Sequence, residues 1–400
     1  MAKFRIILFM GLGVIILSSC ATVSPTSKGS DLVAEVPSWN STGTIVQTQT
    51  GEVLDVIENP STVQVKGNET NVFPAWVMYT IAGTKIRDIT PSGVSTRGGI
   101  SISYLQPGTV WADVGSYKAQ INGTFGVSQN MGATWKLGVL PGVSKPTPNS
   151  VAAVSSSEAY FLIGINRNRS IWVTENGGKS FKEYLTAESI DNLLPRDCTV
   201  NSITFEDSTL FMGTQCISAT NFIVVSVKVN QSNQSLVVTN LASSIRKSIK
   251  TSIVEYNNNN PTAIGIAESS SGVMVYLLFL KGQQLLRSES FNLKGYSYKL
   301  DQYPSMSLND GYFNILVNPP KSNKLDLVTI ANGQVRLRPL SFVDSVKGEV
   351  ADAVFESATD TYLNESSTKA MYLGVSDQSG LNWSQISLPN PFTPLIIANS

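Results

Sequence analysis

VSQNMGATW at residues 127–135 and VTENGGKSF at residues 173–181 are two copies of one short turn. By residue type each runs hydroxyl-x-Asn-x-Gly-x-hydroxyl-aromatic: Ser128, Asn130, Gly132, Thr134 and Trp135 in the first, Thr174, Asn176, Gly178, Ser180 and Phe181 in the second. Every position has a local task. The short amide closes the turn by accepting from backbone N–H groups, and glycine accepts a positive φ that other residues resist. The hydroxyls tie the strand ends together, and the aromatic ring buries a large flat surface between sheets. Ser128 and Thr174 stand 46 residues apart; a weaker copy, Ser376-x-Gln378-x-Gly380-x-Asn382-Trp383, begins 202 residues after Thr174, about four further intervals. A catalytic site occurs once, whereas a motif recurring at this interval marks the joint of a repeated structural unit.

Around these turns the chain consists of short runs rich in β-branched and aromatic residues, such as WVMYTI (76–81), YFLIGI (160–165), NFIVVSVKV (221–229) and VMVYLLFL (273–280). Gly, Asn, Ser and Pro separate them, and no apolar spacing of helical period is sustained. Only TAESIDNLL (186–194) and LASSIRKSI (241–249) offer a helical turn or two. The runs fall into groups at about 44–92, 97–141, 150–188, 198–240, 249–293, 298–341 and 348–389. A propeller repeats a four-stranded unit every 40 to 50 residues or so. The expected fold is therefore all-β, a seven-bladed β-propeller; boundaries this approximate also admit six or eight blades, and a pair of β-sandwiches is the rival architecture.

The repeated turn resembles the Asp-box, or BNR repeat, of sialidase-like, sortilin-like and Ycf48-like propellers. That resemblance implies a box joining the third and fourth strands of a blade, on the outer side away from the central channel. It implies a structural role for Ser128, Asn130, Gly132, Thr134, Trp135, Thr174, Asn176, Gly178, Ser180, Phe181, Ser376, Gly380 and Trp383. Asn stands where the family has Asp, which keeps the turn bonds without the charge and lends nothing to metal binding. A sialidase would further need three arginines on a substrate carboxylate, a Tyr–Glu pair and an acid Asp. No spacing among Arg87, Arg97, Arg167, Arg169, Arg196, Arg246, Arg287, Arg336 and Arg338 nominates three. Asp55, Asp88, Asp113, Glu158, Asp310 and Asp352 lie at or near strand ends, read as solvated turn residues, and none stands out as one of the carboxylate pair a glycosidase requires.

The chain opens MAKFRIILFMGLGVIILSSC, with Lys3 and Arg5 ahead of an apolar run too short for an ordinary membrane span. Leu17-Ser18-Ser19-Cys20 resembles a bacterial lipobox, which implies a signal peptide over 1–19 and a lipid on Cys20. ATVSPTSKGS after it is small and polar, so 20–43 reads as a flexible tether and 44–400 as the propeller. The address implied is the bacterial cell envelope, lipid-anchored, periplasmic or surface-exposed, with the membrane as a partner through the lipid. Cys198 and Cys216 are then left as a candidate disulfide across a hairpin turning at Asp207; two separate buried thiols are the alternative.

Formal charge is zero, from 29 basic and 29 acidic residues, and charged residues make up 14% of the chain. Without a basic stripe, nucleic acid is not an expected partner. Histidine is absent, which removes Ser-His-Asp and Cys-His catalysis and every imidazole-bound zinc site. No Walker loop, dinucleotide fingerprint or EF-hand is present, so neither a cofactor nor a metal is expected. The balance leans away from an enzyme and toward a lipid-anchored module that binds an envelope protein or glycan. An exported glycoside hydrolase of sialidase-like fold and a structural surface-coat component are the alternatives.

Overall fold

A computed structural model of the chain describes residues 44–389 apart from 48–50, 60–61, 66–67, 72–74, 95–98, 116–122, 142–149, 166, 197, 207, 217–222, 230–235, 241–250, 258–259, 270, 282–283, 298–305, 310–311, 323, 332, 345–349, 357–359, 367–370 and 378–382. The chain divides into Met1–Val36 and Pro37–Ser400, and every described residue belongs to the second unit. The signal-like segment, Cys20, the tether, Gly380 and the helical turn expected at 241–249 lie outside the described residues.

Strands β1 (Thr44–Gln47) and β2 (Val53–Asn59) lead into a two-stranded ribbon, β3 (Thr62–Val65) with β4 (Asn68–Asn71), before β5 (Ala75–Ala82) and β6 (Lys85–Asp88) complete a sheet ordered β1-β2-β5-β6. The next sheet holds β7 (Ile100–Leu105), β8 (Thr109–Val114), β9 (Thr124–Ser128) and β10 (Lys136–Val139). A third holds β11 (Val151–Ala153), β12 (Ala159–Ile165), β13 (Asn168–Thr174) and β14 (Lys182–Leu185), followed by the short helix α1 (Ala187–Asp191). An eight-stranded sheet contains two meanders. One is β15 (Cys198–Glu206), β16 (Thr209–Cys216), β17 (Ile223–Lys228) and β18 (Leu236–Asn240); the other is β19 (Thr251–Asn257), β20 (Asn260–Ser269), β21 (Gly272–Lys281) and β22 (Gln284–Lys294). Among the described residues, the pairing of Gln215 with Thr251 joins them. Two four-stranded sheets follow, β23 (Met306–Asn309) with β24 (Tyr312–Val317), β25 (Lys324–Ala331) and β26 (Gln334–Asp344), then β27 (Val350–Glu356) with β28 (Asp360–Ser366), β29 (Met371–Asp377) and β30 (Trp383–Leu388). Every ladder is antiparallel.

The first strand of each meander lies against the first strand of the next, in the succession β1, β7, β11, β15, β19, β23 and β27, and β27 returns to β1. The fold is all-β and propeller-like. Its stability follows from strands buried on both faces. Val53, Leu54, Asp55, Val56 and Ile57 on β2 are all buried, and alternate residues feed different cores, as a two-residue period requires. Leu54 and Val56 pack with Val110 and Ala112 of the following sheet, while Val53 and Ile57 pack with Leu373 and Leu388 of the last.

Beside this apolar packing, a hydroxyl links the first and last sheets. Tyr79 on β5 donates its O–H to the carbonyl of Pro389, just past β30. Burial, with the nearby carboxylates of Asp88 and then Asp55, pushes the phenol above its ordinary value and keeps the donor protonated. The raised folded-state value means the folded chain holds this proton more tightly than the unfolded chain does. Its contribution is present below the ordinary phenol range near pH 10 and is lost as pH rises above it. Tyr79→Phe is expected to cost about 1 kcal/mol at pH 7 and to flatten the fall of the urea midpoint between pH 9 and 11; an unchanged alkaline profile would show that another group governs it.

Candidate functional site

Both good copies of the turn fold alike. In the first, Ser128 Oγ accepts from the N–H of Gly132 at 2.8 Å and donates to Asn130 Oδ1 at 2.9 Å, and that oxygen accepts from the Thr134 N–H at 2.9 Å. Asn130 Nδ2 completes the ring of bonds to Thr134 Oγ1 at 2.9 Å. In the second, the Gly178 N–H reaches Thr174 Oγ1 at 2.9 Å, the Ser180 N–H reaches Asn176 Oδ1 at 2.9 Å, and Asn176 Nδ2 reaches Ser180 Oγ at 2.7 Å. An amide serves here better than a carboxylate in one respect, because it supplies a donor as well as an acceptor.

These turns join β9 to β10 and β13 to β14, the third and fourth strands of their sheets. The aromatic residue closing each turn reaches into the preceding sheet. Trp135 Nε1 donates to the Ile89 carbonyl at 2.7 Å, and Phe181 lies edge-on to Phe125 of β9 with ring centroids 5.3 Å apart. The third copy keeps this geometry at its ends: Ser376 pairs with Trp383 across β29 and β30, and Trp383 packs on Leu316, Leu325, Leu327 and Leu340 of the preceding sheet. Its loop, with Gly380, lies outside the described residues. The polar groups of the two described turns thus bond within their own turn, and the rings pack on the neighbouring sheet.

Four of the described arginines are committed to neighbouring groups, whereas Arg87, Arg196 and Arg336 are exposed. Arg169 is buried and donates to the Val200 carbonyl of the next meander; burial lowers its pKa to about 10, so it stays charged at neutral pH. Arg338, also buried, donates to Thr361 Oγ1 of the last sheet at 2.9 Å and to Thr329 Oγ1 at 2.5 Å, and the Thr329 hydroxyl in turn donates to Asn314 Oδ1 at 2.7 Å. Arg167 holds α1 through the carbonyls of Pro195 (2.8 Å) and Asp191 (3.1 Å) and pairs with the Asp191 carboxylate. Arg287 lies over the Phe279 ring at 4.0 Å. Arg97 and Arg246 lie outside the described residues.

Two carboxylates correct the expectation of solvated turn positions. Asp55 and Asp113 are fully buried, on β2 and β8, the second strands of adjacent sheets, and both are engaged with neighbouring groups. The signal was present in VLDVI and VWADV, where a single carboxylate interrupts an otherwise continuous apolar run. Asp88 is exposed and Glu158 half-buried. Among the described residues no cluster of Cys, Asp and Glu suits a metal ion, and no helix is long and apolar enough to cross a membrane.

The two ends of the meanders differ in how much chain they carry. In an antiparallel meander, turns between strands one and two and between strands three and four share one end, whereas turns between strands two and three and the links between meanders share the other. The first end is compact, with one-to-two turns of two to five residues and cross-bonds such as Met131 N–H to the Gly108 carbonyl (2.9 Å) and Gly177 N–H to the Ser157 carbonyl (2.8 Å). The second end carries the β3–β4 ribbon, α1 and links of ten to twelve residues at 89–99, 140–150, 186–197, 241–250 and 295–305. Chain length not needed for closing the ring is concentrated there, as binding loops on a rigid scaffold are. Thr186 caps α1 by accepting from the Ser189 N–H at 3.2 Å, and Arg167 clamps its far end.

No family model and no curated protein sequence matches the chain. Solved structures do. A structure from the structural and mechanistic analysis of two prolyl endopeptidases aligns at a TM-score of 0.53 and 12% identity, covering 90% of this chain and 52% of that one. YCF48 from Cyanidioschyzon merolae aligns at 0.50 and 12% identity, covering 84% and 95%. A Mycobacterium tuberculosis puromycin-hydrolyzing peptidase aligns at 0.49 and 9%, covering 88% and 55%. The chain spans about half the length of these two peptidase structures. For the first two, at 12% identity, the likeness is one of fold.

Proposed function

We propose that the chain is a seven-bladed β-propeller with Asp-box turns, held at the bacterial cell envelope by a lipid on Cys20, and that it binds or assembles an envelope protein or glycan. The observation that carries this is the division of labour between the two ends. One is knitted by short turns and cross-bonds, while the other gathers the ribbon, the helix and the long links. YCF48, alike in fold and covered over 95% of its length, supports the propeller architecture. The sialidase form of the glycoside hydrolase reading loses ground because Arg167, Arg169 and Arg338 are spent on backbone carbonyls, Asp191 and neighbouring hydroxyls rather than held for a substrate carboxylate.

The full exported chain, screened against envelope glycans and crosslinked in envelope membranes, should engage a partner through the end bearing α1. Arg167→Ala, which frees α1, is expected to weaken that engagement at least tenfold, and Asn176→Asp, at the opposite end, to leave it unchanged. Turnover of fluorogenic sialosides or other glycosides by the purified protein would overturn the binding assignment. Cys20→Ala should abolish lipid labelling and membrane retention; unchanged fractionation would sink the anchor.

A further inference from the structure

The β15–β16 hairpin turns through residues 207–208, with Glu206 paired to Thr209, and its ladder runs to its far end, where Cys198 faces Cys216. Directly opposed residues of an antiparallel pair have Cα atoms about 4.5 to 5.5 Å apart, inside the range a disulfide spans. Cys198 is fully buried. Three connections meet at this end. Cys198 closes the link carrying α1, its N–H bonded to the Pro195 carbonyl at 3.0 Å. Cys216 opens the connection at 217–222. Gln215 beside it pairs with Thr251, which among the described residues joins the two meanders of the eight-stranded sheet.

We infer that Cys198 and Cys216 form a disulfide that staples this junction, fixing on the proposed binding face both the α1 link and the seam between the fourth and fifth meanders. The inference rests on the proposed face for its functional meaning, but the bond itself does not depend on it. Formation joins the two sulfurs, with both thiol protons and two electrons passing to a disulfide-bearing oxidant that leaves as two thiols. Because Cys198 is buried, its sulfur is shielded in the folded chain from attacking thiolates.

Peptide mapping of the full exported chain without reductant should recover a linked pair of peptides holding residues 198 and 216. A reductant should break the link quickly in urea but slowly under native conditions. The Cys198→Ser, Cys216→Ser double variant should melt roughly 5 °C lower, and protease should cut it first in 186–197 or 217–222. Should that variant fail to fold, the wild-type mapping still decides. Free, alkylatable thiols at both positions, or a link from either one to Cys20, would overturn the disulfide. Intact linkage with partner binding unaffected by reduction would overturn its role on the face while leaving the bond standing.

Discussion

Trp111→Ala is expected to lower the free energy of unfolding by about 3 to 5 kcal/mol, the usual cost of removing a fully buried large aromatic side chain. Trp111 sits on β8 with no exposure and forms the hub between the second and third sheets. Its ring lies edge-on to Phe161 of β12 at 6.0 Å and tilted against Phe125 at 6.3 Å, and its Nε1 donates to the Ser155 carbonyl at 2.8 Å. Deletion therefore opens a cavity between two sheets and strands a carbonyl at their rim. Trp111→Phe keeps most of the volume and loses the donor, so it should cost about 1 to 2 kcal/mol. Urea titration of the two variants separates the terms: equal losses would mean that the hydrogen bond, rather than the packing, dominates this contact.

Such contacts divide what the sequence discloses from what it hides. Strand groups were legible because runs such as YFLIGI and VMVYLLFL alternate with Gly and Asn turns, and the expected groups at 198–240 and 348–389 begin and end within two residues of Cys198–Asn240 and Val350–Leu388. The turn at 127–135 was legible because the bonds of its hydroxyls and amide are local, running from Ser128 to Gly132 and from Asn130 to Thr134. The pairing of Cys198 with Cys216 was legible as a backbone register because both flank one hairpin. The β3–β4 ribbon left no trace, since STVQVKGNETN lacks the apolar alternation of a strand packed on a core. Ring contacts were invisible for a different reason. Tyr79 and Pro389 are 310 residues apart and Arg338 and Thr361 are 23 apart, and a hydroxyl or guanidinium carries no local mark of the distant group it will meet. The candidate binding face was hidden for the same reason, because it emerges only when the short turns are seen to share one end and the long links the other.

Within the repeated turn, the two adjacent glycines of NGG should respond very differently to alanine. Gly177 and Gly178 both have positive φ, 67° and 76°, so either substitution pays about 1 to 2 kcal/mol for placing an L side chain in the left-handed region. Only one of them also meets the neighbouring sheet. A Cβ on Gly178 would lie 2.1 Å from Phe125 Cζ and 2.2 Å from Cε2, whereas on Gly177 its nearest neighbour would be Lys136 Nζ at 3.7 Å. Phe125 cannot yield freely, because it is buried among Trp111, Phe161 and Phe181. Gly178→Ala should therefore add roughly 1 to 3 kcal/mol of overpacking to the backbone cost. Gly132, the matching position of the first turn, should behave similarly, since its Cβ would approach Ile89 Cδ1 to 2.6 Å. Gly83 (φ 58°), with nothing within 4 Å, isolates the backbone contribution. The expected order of loss in chemical denaturation is Gly178→Ala and Gly132→Ala well above Gly177→Ala and Gly83→Ala. If all four lose the same amount, the motif's glycine is conserving a backbone angle alone and the close approach of each turn to the preceding sheet plays no part in holding the ring together.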